Sequence, residues 1–187
     1  MRRLAWYLLN RLFRWIDLAY CRLHGLRPVG PLLYIQPQSY DGPPRRLQDA
    51  TVIEPGDPVA VLHFNNSGLQ QAQQARNSRH GGFVFARLLV SALQSLAEQV
   101  RKDPALQQLA GFHGVTWIPP HGARIGFEAQ PLPDSWRTRL QGLYFRILLY
   151  AFSPATARRV GGRLQPHVFW LSRQQLLEHF ADGKAPR

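Results

Sequence analysis

The chain has 187 residues, enough for one domain with a substantial core and a short appendage. Hydrophobic residues at 45% and charged residues at 18% exclude a disordered polyelectrolyte, and a lone cysteine, Cys21, excludes an intramolecular disulfide or a cysteine metal cluster. Lys and Arg number 23 against 11 Asp and Glu, which points to anionic partners: lipid headgroups, nucleic acid or phosphorylated sugars.

Only Lys102 and Lys184 are lysines, so the positive charge is nearly all arginine, the residue suited to bidentate contact with phosphate or carboxylate. Residues 3–24 predict a basic amphipathic helix. Arg3, Asn10, Arg14, Asp17 and Cys21 recur at helical spacing, opposite Leu8, Leu9, Leu12, Ile16, Ala19, Tyr20 and Leu23. Gly25 is placed to cap it and Pro28 to stop it. Asn10, Arg11, Arg14 and Asp17 interrupt the apolar run, which argues against a signal peptide or a spanning helix. The expected organisation is this helix over 1–27 and a single α+β domain over 28–187.

Pro31–Tyr40 predicts an extended segment, followed by a turn at Asp41-Gly42-Pro43-Pro44. Ala50–Glu54 and Pro58–Phe64 read as short strands around Pro55-Gly56-Asp57, a hairpin-like unit. The Gln-rich stretch 65–80 predicts a loop or a short helix. Phe83–Lys102 predicts a helix with a narrow polar stripe of Arg87, Ser91, Gln94, Ser95, Glu98 and Arg101. Strands are expected at Gly114–Ile118 and Arg124–Gln130, flanking a turn at 119–122. Asp134 is placed to cap a helix running to about Phe152. A strand over His167–Leu171 leads to Ser172-Arg173-Gln174-Gln175, a capping box with Leu171 and Leu176 as its hydrophobic staple, opening a last helix that Gly183 closes. Strands and helices do not alternate regularly, so the class is α+β, with short, mainly antiparallel strands packed against about three helices.

Three stretches carry a family resemblance. They are Tyr40-Asp41-Gly42 leading to Thr51-Val52-Ile53-x-x-Gly56-Asp57, then Val61-Leu62-His63-Phe64-Asn65, then Gly114-Val115-Thr116-Trp117 with Ile125-Gly126-Phe127-Glu128. Their order and spacing resemble the YkoP-like domain, a bacterial family found alone or beside polysaccharide deacetylase and glycosyltransferase modules. Members tend to read His-Leu-His-Asn where this chain has Leu62-His63-Phe64-Asn65, and the Gln-rich 65–80 stretch departs from the pattern. The resemblance implies a role at the cell envelope or its glycans and supplies no mechanism.

For chemistry, His63 and Asn65 are the first candidates as catalytic residues. Strand alternation puts both on one side, where His63 can act as a general base and Asn65 can orient it or donate to an oxyanion. A structural pair tying the strand end to the next loop uses the same two residues. Glu128 and Arg124, four apart on one strand, share a face and with Thr116 are candidate ligand-binding residues if their strands pair beside His63. His80-Gly81-Gly82, opening the long helix, fits either a weak phosphate turn or a hinge. His113, His121, His167 and His179 have no metal-ligand spacing, so neither a metal nor a cofactor is expected.

Arg146 sits in an apolar run with Arg158 and Arg159 not far beyond, and Arg3, Arg11 and Arg14 share the first helix with Trp6, Tyr7, Trp15 and Tyr20. Together these arginines form the expected anionic-surface contact. The function expected from all this is peripheral attachment to the cytoplasmic face of the inner membrane, in or accessory to envelope glycan or lipid metabolism. The rivals are a nucleic-acid-binding protein and a module that docks a partner through its first helix.

Overall fold

The structure is a computed structural model that describes residues 21–65, 81–116, 127–132, 139–140, 142–143 and 166–181. Residues 1–20 lie outside these, so the helix expected over 3–24 enters only through its last residues. Cys21–Leu23 are helical and end as the sequence implies. Gly25 takes φ +60°, its N–H reaches Arg22 O, and Leu26 N–H bonds Cys21 O at 2.9 Å, the pattern of a Schellman cap.

The fold is mixed α+β around a six-stranded sheet. Strands β1 (Arg27–Val29), β2 (Leu33–Ser39), β5 (Pro58–Phe64), β6 (Gly111–Thr116), β8 (His167–Ser172) and β7 (Glu128–Pro131) lie side by side in that order. Every pairing is antiparallel except β5 with β6. A parallel pair needs a long crossover, and α1 (Gly81–Lys102) lies in that connection. A separate two-stranded sheet pairs β3 (Arg45–Arg46) with β4 (Val52–Ile53). Two short helices, α2 (Pro104–Gln107) and α3 (Arg173–Phe180), complete the named elements.

Alternation along the strands divides the sheet into two faces. Leu33, Ile35, Ala60, Phe112, Phe169 and Leu171 are buried in one cluster with Ala92, Leu93, Leu96, Ala97 and Val100 of α1 and Leu176 and Phe180 of α3. That helix-covered face holds the main core. On α1 the exposed residues Arg87, Ser91, Glu98 and Arg101 follow the expected polar stripe, and Arg101 and Lys102 sit where the helix dipole favours cations. Asp103 then caps α2, with Pro104 at its first position, and pairs with Arg27 at 3.3 Å. The β1–β2 turn needs Gly30, which has φ +62° and runs so close to α1 that a Cβ would lie 3.3 Å from Ala92 Cα.

The opposite face is covered differently, and here two expectations are corrected. Strands 50–54 and 58–64 do not form a hairpin with each other. Instead β5 pairs with β2 along its whole length, Ser39 opposite Pro58, and β4 pairs with β3. Residues 41–56 therefore leave the sheet and return to the same place. Their base is pinned by Tyr40 N–H to Asp57 O and Gly56 N–H to Tyr40 O, both 2.8 Å. This excursion forms a strap whose Leu47 and Ile53 pack with Tyr40, Val59 and Trp170 in a second cluster. Likewise β6 and β7 do not pair across the expected 119–122 turn, because β8 lies between them and bonds to both. The capping box at Ser172 is present with both reciprocal bonds, and Leu171 and Leu176 are fully buried beside it. Helix α3 ends at Phe180 with Ala181 as its cap. Of the helix expected from Asp134, the described residues Arg139, Leu140, Gly142 and Leu143 are helical. No described helix is long and apolar enough to cross a membrane.

Candidate functional site

The strap-covered face of the sheet carries the polar side chains. Reading across it, Gln36 of β2, Val61 of β5, His113 of β6, Trp170 of β8 and Glu128 of β7 occupy matching register positions. Gln36 lies opposite Val61, Val61 opposite His113, His113 opposite Trp170, and Trp170 opposite Glu128. His63 is two residues along from Val61 and so lies diagonal to His113 on the same face.

His63 is half-buried, and its Nε2 lies 3.0 Å from Gln36 Oε1. With the amide oxygen accepting, Nε2 carries the ring proton and Nδ1 is the basic nitrogen. Burial pushes the imidazole pKa below its usual 6.5, and the charge of His24 pushes it further down, so His63 is neutral at pH 7.

His113 stacks on the Trp170 ring with centroids 4.4 Å apart and planes 20° from parallel. Burial, the Arg45 guanidinium and His63 all lower its pKa, against a weaker opposing pull from Asp41, and bring it to about 4. Arg45 comes from the strap. Its Cζ lies 5.0 Å from the centre of the Trp170 ring, and its Nη1 donates to Gln130 Oε1 at 2.5 Å. Tyr40 meets Trp170 edge-on at 5.5 Å and gives its hydroxyl proton to Pro43 O. Trp170 is thus enclosed, 3% exposed, and acts as the hub on which β6, the strap and Tyr40 converge.

Glu128, 8% exposed, accepts from the Gln48 backbone N–H at 2.5 Å, which fastens the strap to β7. A second fastening uses Asp49. It accepts from Thr51 N–H and Thr51 Oγ1 and from the hydroxyl of Ser172, the residue that caps α3. Thus two carboxylates, the buried Glu128 of β7 and the half-buried Asp49 of the strap, hold the strap to the sheet.

Of the candidates named from sequence, His63 and Glu128 share this face. Asn65, half-buried at the end of β5, bonds Leu32 O through its backbone N–H at 2.8 Å. Thr116 stands apart from them in the sheet. It has the parity of Phe112 and Gly114, so it lies on the helix-covered face and does not neighbour His63. Arg3, Arg11, Arg14, Arg124, Arg146, Arg158 and Arg159 lie outside the described residues. Among the described residues no group of three or more His, Cys, Asp or Glu is placed to hold a metal ion.

His113, Trp170 and Arg45 join the site without a sequence motif that marks them. His113 fell outside the expected strand, which started at Gly114; extending it by three residues would have set His113 opposite Phe112 in the alternation. Trp170 alternates with Phe169 in a strand that was expected, so its face was readable. Arg45 has no local signal, because only the strap's return to the sheet brings it there.

An α+β domain whose second sheet face bears a strapped polar cluster is what the geometry defines. The sequence profile of the YkoP domain matches residues 6–180, nearly the entire chain, and the chain belongs to that family. No curated protein and no solved structure gives a significant match.

Proposed function

We propose that this chain is a bacterial protein that attaches to the anionic surface of the inner membrane and there binds an envelope glycan or lipid intermediate on its polar sheet face. The observation that carries the reading is the gathering of His63, His113 and Glu128 on one face under a strap, with both imidazoles kept neutral at pH 7. Neutral imidazoles and a carboxylate offer mixed hydrogen-bond donors and acceptors, the chemistry suited to a polyhydroxyl ligand. The resemblance of the 40–57, 61–65 and 114–128 stretches to proteins found beside polysaccharide-modifying modules supports the same substrate class. The membrane part rests on sequence: six Arg precede residue 28 against one acid, Asp17, interleaved with Trp6, Tyr7 and Trp15.

The test has two arms. Full-length protein is expected to cosediment with anionic phospholipid vesicles at low salt and to dissociate as salt rises. Envelope oligosaccharide is expected to perturb the imidazole NMR signals of His63 and His113, and His63→Ala to lose that response while keeping the fold. Indifference to vesicles, combined with steeply salt-dependent binding to RNA or DNA, would replace the reading with nucleic-acid binding. Unfolding of His63→Ala would make His63 a structural residue.

A further inference from the structure

Among the described residues three buried side-chain polar atoms lack a hydrogen-bond partner: Arg45 Nε, His113 Nε2 and Trp170 Nε1. They belong to side chains in direct contact, His113 stacked on the indole and the guanidinium over it. A buried polar group left unpaired costs stability, so three on adjoining side chains form a site that gains from an occupant.

The kind of occupant follows from the donors. Arg45 Nε and Trp170 Nε1 can only donate. His113 is neutral, and with its proton on Nε2 it donates too. The guanidinium is half-buried, and its hydrogen-bond partner is the uncharged amide oxygen of Gln130. Among the described residues no carboxylate lies within ion-pair distance of it. Glu128 accepts from the strap backbone, and Asp41, though close enough to influence His113, forms no ion pair with Arg45. A half-buried cation with an unpaired Nε–H, flanked by two further donors, favours an acceptor that carries negative charge. A neutral sugar hydroxyl could accept from these donors but would bring no charge to match the guanidinium.

We infer that Arg45, His113 and Trp170 form a binding site for an oxyanion, a phosphate or carboxylate group borne by the ligand of the polar face. The inference rests on the reading of that face as a ligand site and specifies which ligand group the strap end of it takes. Arg45 supplies the charge and Trp170 a fixed donor at its side. His113 completes the set without adding a second positive charge of its own.

The experiment is an NMR titration of the full chain with inorganic phosphate, with acetate, and with a neutral methyl glycoside, each against chloride at equal ionic strength. Phosphate or acetate is expected to shift the Trp170 indole N–H and to raise the midpoint of His113, and whichever anion binds tighter identifies the group. Arg45→Gln is expected to weaken that binding by about tenfold or more. Arg45→Lys keeps the charge and loses the Nε donor, and should weaken it several-fold, so one folded variant suffices. No response to either anion, or unchanged affinity in a folded Arg45 variant, overturns the inference. A response to the glycoside alone would sink the oxyanion site while leaving the polar face as a ligand site; no response to any probe would sink both.

Discussion

Ser172 does two jobs with one hydroxyl: it accepts from Gln175 N–H at 2.9 Å as the cap of α3 and donates to Asp49 in the strap. Ser172→Ala therefore removes a cap and leaves a partly buried carboxylate short of one donor. A loss of about 2–3 kcal/mol is expected in urea denaturation, and Asp49→Asn should lose less because it keeps an acceptor. His113 gives a pH signature. Its pKa is near 4 folded and 6.5 in the unfolded chain, so only the unfolded state takes up the proton between those values. Its contribution is constant above pH 6.5, falls as pH drops toward 4 and levels off below. The full difference is about 3 kcal/mol. Denaturation at pH 7 and pH 4.5 should show a larger loss for the native chain than for His113→Gln, and equal losses would refute the assignment. The cap was legible because Ser172 and Gln175 act within four residues. Asp49's part in it was not, since 123 positions separate it from Ser172.

At the scale of elements, the strands and the long helix were readable from periodicity, while their partners were not. TVIEPGDPVAVLHF has the look of a hairpin because Pro55-Gly56-Asp57 is a turn, and it is one, with Gly56 at φ +98°. Yet the turn delivers the chain back to β2, and tertiary packing of Ile53 on Val59 and Trp170 decides the pairing. Gly114 of β6 lies tight against β5: a Cβ there would lie 2.7 Å from Leu62 O, a backbone atom that cannot rotate away. Gly114→Ala is expected to destabilise the fold by about 2–3 kcal/mol. Thermal denaturation that leaves the midpoint unchanged would show that the β5–β6 pair spreads without cost.

For the whole molecule, charge is the most uneven property. Of the 23 Lys and Arg and 11 Asp and Glu, nine and eight lie in the described residues, which leaves 14 and three in the remaining segments. The described sheet and helices are thus close to electroneutral, and the basic character that suggests a membrane belongs to other stretches of the sequence. Composition made the excess legible, but not which surface bears it. The polar cluster and the basic excess are then separable, and the two arms of the functional test report on different parts of the chain.

The strap has one more consequence. Ser39 and Pro58 face each other across β2 and β5, so the stretch between them starts and ends one strand spacing apart, about 5 Å. Such a segment is an insert in the topological sense: a two-residue turn can close the same gap and leave β2–β5 an ordinary hairpin. Trp170 and Val59 would be uncovered, while the helix-covered core would lose none of its residues. The closure of β2 on β5 therefore does not depend on the segment between 41 and 56. Replacing that cassette with a two-residue turn separates the stability of the scaffold from any binding on the face that the strap covers.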